Sequence, residues 1–175
     1  MKRPAIAYWL IPAEPARSFF QDVINDLARR YDGPVFQPHV TIFVSANGTE
    51  AAKRALSEAA CDREQIGLEP LEISHSSKFI KTLFVQFALN TKLRLLNQVI
   101  RITAQDPSDY QLNPHLSLLY KGMSVQDRRL LASSIEVPFS EVIFDSLKAV
   151  RCISPTQSRA DVEAWRVVAA TSLPG

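Results

Sequence analysis

The sequence predicts an α+β protein of two pseudo-symmetric halves, each a largely antiparallel sheet, with the sheets facing a central cleft and helices on their outer faces. Two observations support this prediction. The stretch FQPHVTIFVS (36–45) returns in altered form as LNPHLSLLYK (112–121), and its histidines stand 76 residues apart. Four consecutive strand and helix patterns keep that same offset, which indicates a duplicated βαβαβ-type unit.

The length of 175 residues suits one domain with a shared core. We predict a single bilobal domain over residues 1–175. Its first lobe is expected at about 1–76, completed by C-terminal strands, and its second lobe at about 77–160.

The first half alternates apolar strands with amphipathic helices. Residues 46–50 (ANGTE) predict a turn and a helix start, and Pro70 predicts an irregularity in the strand that contains it. Asp-Gly-Pro at 32–34 predicts the end of the first helix. The predicted elements are a strand at 5–11, a helix at 15–31, a strand at 39–45, a helix from about 49 to 60 and a strand at 66–74.

The second half repeats this order and then adds two strands. Ser124 is a typical N-cap residue for its second helix. The predicted elements are a strand at 79–89, a helix at 91–104, a strand at 115–121, a helix at 124–135 and strands at 141–151 and 162–170.

The composition, 46% hydrophobic and 22% charged, is typical of a globular protein. The formal net charge of +2 is too small to attract a long nucleic acid or an anionic membrane by bulk electrostatics, although it allows a local basic pocket for a small anion. We expect a small-molecule partner, with neither a membrane nor a long nucleic acid as partner, and we expect a monomer.

Cys61 and Cys152 are the only cysteines and do not form a CxxC motif. This predicts two reduced thiols in a cytoplasmic protein, with a single disulfide as the alternative. Lys2 and Arg3 precede a short apolar run in the manner of a signal peptide, but Pro12 closes that run, so we interpret it as the first strand.

The two motifs place the same chemistry on two predicted strands. Residues i and i+2 share one face of a strand, so His39 lies beside Thr41, and His115 beside Ser117. The proline before each histidine suits the start of a strand. Each histidine is therefore expected at a sheet rim, and two facing lobes would bring both pairs together across a cleft.

Two histidines and two hydroxyls are suited to displacement at phosphorus. One imidazole can remove a proton from water while the other protonates the departing oxygen, and the hydroxyls can donate to phosphate oxygens. This chemistry needs neither metal nor cofactor. The alternative is that both histidines bind backbone groups at strand edges. His75 and Ser77 match the bare pattern too, but without a preceding proline, so His75 is expected in a solvated loop or near the cleft mouth.

Paired PHVT and PHLS motifs in a duplicated chain of this length resemble the two-histidine phosphoesterase superfamily. The likeness is closest to its cyclic phosphodiesterase branch, known from plants and yeast. It extends to YWLIP near the start, AACD at 59–62 and EAWRVVAATSL at the end. The resemblance implies a bilobal fold with a water-filled cleft and metal-independent hydrolysis.

In that branch the implied reactions open ADP-ribose 1″,2″-cyclic phosphate to the 1″-phosphate, and nucleoside 2′,3′-cyclic phosphates to 2′-phosphates. The resemblance makes His39 and His115 the acid and base and makes Thr41 and Ser117 the phosphate-binding residues. It favours His115 as the base, although approximate symmetry allows exchange. An RNA 2′,3′-cyclic phosphate end is the alternative substrate, and a non-catalytic nucleotide-binding module is the alternative function.

The resemblance also implies that Trp9, Phe79 and Tyr120 lie near the cleft and contact substrate. Core packing is the alternative for Trp9 and Phe79. Strand alternation places Tyr120 opposite the motif side chains unless the strand bulges or ends there. Lys81 is a candidate phosphate ligand, with a strand-edge lysine as the alternative. The chain lacks most cysteines of plant members, so their disulfide-linked loops are not expected.

Overall fold

The structure, a computed structural model, describes residues 1–46 and 48–175, so Asn47 of the turn predicted at 46–50 lies outside the described residues. It confirms the α+β class. The helices are α1 (Ala16–Tyr31), α2 (Thr49–Ala60), α3 (Thr91–Ala104), α4 (Val125–Ser134) and α5 (Arg159–Glu163). The strands are β1 (Arg3–Pro12), β2 (Val40–Ser45), β3 (Ile66–Leu68), β4 (Pro70–His75), β5 (Leu83–Phe87), β6 (His115–Leu119), β7 (Val142–Ser154) and β8 (Arg166–Ser172).

The ends of the helices follow local side-chain chemistry, as the sequence predicted. The Ser124 hydroxyl accepts a hydrogen bond from the backbone N–H of Asp127 and caps α4. Helix α1 ends at Asp32, which adopts a left-handed conformation with φ of 53°. The N–H groups of Asp32 and Gly33 both donate to the carbonyl of Ala28, which closes the last turn of the helix.

Three predicted strands differ from the structure. The strand at 66–74 is two strands, because the chain crosses between sheet halves beside Pro70. The strand at 79–89 starts late: Phe79–Lys81 is a 3-10 turn, held where the Thr82 hydroxyl donates to the Phe79 carbonyl at 2.8 Å. The strand at 162–170 gives way to α5, which the Ser158 capping box initiates, and β8 follows it.

All strand pairs described are antiparallel, and they form one continuous sheet in the order β3-β7-β1-β2-β6-β5-β4, with β8 also beside β7. The first half of the sheet contains β1, β2, β3, β7 and β8, and the second half of the sheet contains β4, β5 and β6. Strand β4 therefore pairs with β5 across the predicted lobe boundary near residue 76, and β7 returns to pair with β1. The lobe boundaries remain a prediction, but each half of the sheet contains a strand from the other side of the boundary near residue 76: β7 in the first half and β4 in the second.

The two halves of the sheet are joined by backbone pairing at one position, where Val40 in β2 lies opposite Leu116 in β6. Beyond this pair, backbone carbonyls of β2 accept hydrogen bonds from side chains instead of from β6. The Asn97 side chain on α3 donates to the carbonyl of Ile42 at 2.8 Å, and the Tyr110 hydroxyl donates to the carbonyl of Thr41 at 3.2 Å. The strands can therefore diverge without leaving these buried carbonyls unpaired.

Strand β1 divides the apolar residues between two faces. Ile6, Tyr8 and Leu10 belong to the main core, against which the helices pack. The alternate residues Ala5, Ala7, Trp9 and Ile11 form a second cluster with Val150 and Cys152 on the opposite face. This second face borders the cleft. Within the residues that the structure describes, no helix has the length and apolar character to span a bilayer.

The buried amide of Asn97 offers a test of how the sheet edge is maintained. Asn97→Leu should lower the free energy of unfolding by about 1–3 kcal/mol, because the Ile42 carbonyl loses its donor while remaining buried. Urea denaturation measures this change. The same substitution at Asn25, which is exposed on α1, is the control and should change stability by less than about 0.5 kcal/mol. Equal effects at the two positions would contradict the proposed role of Asn97.

Candidate active site

All four motif side chains line one cavity of about 500 Å³ in the cleft. Strands β2 and β6 are antiparallel with Val40 opposite Leu116, so each of these two residues lies between a motif histidine and a motif hydroxyl residue. The convergence predicted from the repeat is thus produced by the junction of the two halves.

His39 is held by its strand neighbours and its own backbone. It is only 6% exposed, and its ring stacks on Trp9 of β1 with centroids 3.7 Å apart and planes tilted by 10°. Its Nδ1 lies 2.7 Å from the carbonyl oxygen of Gln37. A carbonyl only accepts hydrogen bonds, so Nδ1 carries the proton and Nε2 keeps the lone pair.

His115 repeats this arrangement with different neighbours. Its Nδ1 lies 2.8 Å from the carbonyl of Asn113, and its ring meets Phe84 edge-on at 5.4 Å. The ring is half-buried, so it is more accessible than His39. Both histidines bind backbone, as the alternative interpretation expected, but each does so through Nδ1, which leaves Nε2 for chemistry.

Burial keeps both imidazoles neutral in the free protein. It lowers the pKa of His39 to about 4, an effect that the Gln37 carbonyl partly offsets and the nearby His115 adds to. Burial also lowers the pKa of His115, and the positive charge of Lys81 contributes in the same direction. Near pH 7 each ring is therefore a base with Nε2 unprotonated.

The two hydroxyls differ in their present hydrogen bonds. Ser117 donates to the carbonyl of Ile80 at 2.9 Å. A serine hydroxyl has one proton, so Ser117 must turn away from this carbonyl before it can donate to a phosphate oxygen. Thr41 lines the cavity from β2, where its backbone carbonyl accepts from Tyr110.

The remaining candidates occupy different positions. Trp9 lines the cavity while its ring packs on His39. Tyr120 also lines it, because β6 ends at Leu119 and releases it from strand alternation. Phe79 packs on Tyr120, with centroids 5.9 Å apart, and is not among the cavity-lining residues, so its contact with substrate remains a prediction.

Lys81 lines the cavity and also places its Nζ 4.6 Å from the centre of the Phe84 ring. Burial lowers its pKa, and Lys78 contributes in the same direction. A cation beside His115 suits an anionic ligand. His75 is not in a loop as predicted: it ends β4, and its Nδ1 accepts from Nε of Arg128 at 3.3 Å.

Trp165 is the main cavity residue that sequence reasoning missed. It follows α5 and packs edge-on to Trp9 and His39, with ring centroids 5.2 and 5.8 Å away. Only its place in EAWRVVAATSL distinguished it in the sequence. Its position depends on the return of the C-terminal segment to the first sheet half, which no local pattern reveals.

The described chain contains no group of three or more His, Cys, Asp or Glu side chains arranged to hold a metal ion. Both cysteines are free thiols, Cys61 exposed and Cys152 buried in the cleft-side cluster. Besides the two imidazoles and two motif hydroxyls, the cavity is lined by the cations Arg3 and Lys81 and by the carboxylates Asp106 and Asp109.

Comparison with known proteins gives consistent results. A family model described as cyclic phosphodiesterase-like protein matches residues 4–173. A cyclic phosphodiesterase from Arabidopsis thaliana is 23% identical over 177 residues, covering 99% of this chain and 97% of the relative. Two crystal structures have the same fold. E. coli LigT with 3′-AMP has a TM-score of 0.62 at 13% identity, and the match covers 99% of this chain and 100% of LigT. TT0787 of Thermus thermophilus has a TM-score of 0.63 at 15% identity, and the match covers 98% of each chain.

The burial of His39 predicts a pH dependence of stability. Between pH 6.5 and about 4 the unfolded chain protonates this histidine and the folded protein does not, so the free energy of unfolding falls as the pH falls. His39→Phe removes this dependence and keeps a ring against Trp9. Between pH 6.5 and 5, the wild type should lose about 1.5 kcal/mol more than the variant in urea denaturation. Equal losses in both proteins would contradict a neutral buried His39.

Proposed function

The chain belongs to the cyclic phosphodiesterase-like protein family of two-histidine phosphoesterases, and we propose that this phosphodiester hydrolase opens small nucleotide cyclic phosphates without a metal. The observation that carries the proposal is that both motif histidines line one cavity with Nδ1 bound to a backbone carbonyl. That hydrogen bond fixes the ring and reserves Nε2 for proton transfer at the substrate.

In the proposed reaction water adds across one phosphorus–oxygen bond of the ring. One imidazole takes a proton from water at Nε2 as the water oxygen bonds to phosphorus. The bond from phosphorus to a ribose oxygen breaks, and the other histidine, protonated at Nε2, gives its proton to that oxygen. Thr41 and Ser117 donate hydrogen bonds to the non-bridging oxygens, where charge accumulates in the transition state.

The acid must be charged before the reaction, although both rings are neutral in the free protein. A bound phosphate anion raises the pKa of a neighbouring imidazole and so favours this charging. Family likeness favours His115 as base and His39 as acid. The deep burial of His39 works against that order, because it lowers the pKa of this ring to about 4 and so opposes its charging. The approximate symmetry of the site allows either assignment.

The extent of the cavity supports a substrate larger than a mononucleotide. Its lining runs along the cleft face of β1 from Trp9 through Ala7 and Ala5 to Arg3, a span of about 20 Å. The small alanines leave room for a flat or flexible group, and the Arg3 guanidinium can bind a pyrophosphate bidentately. We propose ADP-ribose 1″,2″-cyclic phosphate as the preferred substrate, with nucleoside 2′,3′-cyclic phosphates as smaller ones.

The proposed ligand and cellular compartment are supported by the relatives and by the state of the cysteines. The Arabidopsis relative is named a cyclic phosphodiesterase, and LigT has been crystallised with 3′-AMP, ATP and NADP⁺. We propose a small nucleotide ligand for this chain as well. The two free thiols support the reducing setting of the cytoplasm, and we propose that the protein acts there as a monomer.

The first test combines chelation with histidine replacement. Turnover of 2′,3′-cyclic AMP should continue unchanged in excess EDTA. His39→Ala and His115→Ala should each lower kcat by about 10²–10⁴-fold, because each removes a proton-transfer group. Circular dichroism checks that both variants remain folded. Loss of activity in EDTA would refute the metal-independent mechanism, and tight 2′-phosphate binding without turnover would favour a binding module.

The second test concerns the part of the cavity beyond the histidines. Ala7→Leu adds bulk at the cavity floor, so it should weaken turnover of ADP-ribose cyclic phosphate by about tenfold or more while changing that of 2′,3′-cyclic AMP little. Ala160→Leu, on an exposed position of α5 outside the cavity lining, is the matched control. Equal losses with both substrates would argue that the distal cavity is not used. Preference for an RNA oligonucleotide end over both would favour the RNA-processing alternative.

A further inference from the structure

Lys148 is a half-buried cation without an acidic partner. It lies on β7 opposite Trp9 of β1, so the two residues share the cleft face of the sheet. Burial lowers its pKa, and the charge of Arg17 contributes in the same direction. Among the described residues, no carboxylate forms an ion pair with it. Desolvating an unpaired charge costs free energy, so its position calls for a reason.

The hydrogen bond of Lys148 leads to His39. Its Nζ donates to Oε1 of Gln37 at 2.7 Å. The backbone carbonyl of the same Gln37 accepts the Nδ1 proton of His39, also at 2.7 Å. Lys148 does not line the cavity, so it is in a position to support the histidine and not to touch the substrate.

The second half contains the same connection built from different residues. Nε2 of Gln86 on β5 donates to Oδ1 of Asn113 at 2.9 Å. The backbone carbonyl of Asn113 accepts the Nδ1 proton of His115. Each histidine thus depends on an amide residue two places before it, whose side chain is held by a neighbouring strand. Because the arrangement recurs in both halves, we infer that each histidine requires a fixed carbonyl as the acceptor for its Nδ1 proton.

We propose that Lys148 is a positioning residue for His39, acting through the side chain of Gln37. Because the Gln37 side chain is held, its backbone cannot turn and its carbonyl stays aimed at Nδ1. The imidazole then keeps one tautomer and its stacked orientation on Trp9. The proposal rests on the proposed role of His39 in proton transfer, and the tests below distinguish failure of one from failure of the other.

Activity measurements give the first readout. Lys148→Met should lower kcat by about tenfold and leave KM within about twofold, because a misaligned histidine slows proton transfer without removing a substrate contact. Lys148→Arg retains a cationic donor and should recover most of kcat. Lys92→Met, at an exposed lysine paired with Glu64, is the matched control and should behave as wild type.

A double-mutant cycle tests the route through Gln37. Gln37→Met alone should reproduce the loss seen in Lys148→Met, and the double variant should lose little more than either single variant. Multiplied losses, or a rise in KM with normal kcat, would overturn the proposal. If Lys148→Met does not fold, Gln37→Met carries the same expectation for kcat, and normal turnover in it overturns the proposal.

Proton NMR gives a readout independent of turnover. The Nδ1 proton of His39 is identified as the imidazole signal lost in His39→Phe. In Lys148→Met it should broaden or exchange faster with water, while the corresponding His115 signal is unchanged. An unaltered His39 signal would overturn the positioning role. Full activity in His39→Ala would instead refute the proposed function and leave the hydrogen-bond result standing.

Discussion

The pairing of Val40 with Leu116 is the constraint on which the site depends. Val40 follows His39 and Leu116 follows His115 in the chain, so the strand pairing at this position brings both motif histidines to the junction of the two sheet halves. Beyond it the strands separate, and Asn97 and the Tyr110 hydroxyl satisfy the carbonyls exposed on β2. The cleft therefore lies where two strands of a continuous sheet separate, and both of these carbonyls remain hydrogen-bonded there.

The duplicated halves lock together by exchanging strands. Strand β4 belongs to the first half of the sequence but pairs with β5 in the second half of the sheet. Strand β7 belongs to the second half of the sequence but pairs with β1 in the first half of the sheet. The helices reinforce this exchange, because α1 packs on β6 and α3 packs on β2. Neither half carries a complete sheet from its own stretch of chain, so the relative position of the two histidines is fixed by the core as a whole.

The two halves are alike in plan and unlike in electrostatics. His39 is buried under Trp9 and supported through a cationic lysine, whereas His115 is more exposed, meets Phe84 edge-on and is supported through a neutral glutamine. Burial depresses the pKa of both rings, most clearly for His39. Duplication supplies two similar imidazoles, and their different surroundings act on their pKa values through different neighbours, His115 in the case of His39 and Lys81 in the case of His115.

The sequence by itself determined the repeat, the Pro-His strands, the helix beginning at Ser124 and the four motif residues, because each depends on spacing or capping within a few positions. It did not determine that the strand at 66–74 divides at Pro70 or that Phe79–Lys81 is a turn. Nor did it reveal Lys148, which lies more than a hundred positions along the chain from the Gln37 that it contacts. Tertiary structure decided these features, because strand exchange and burial arise from contacts between distant segments, which no local pattern encodes.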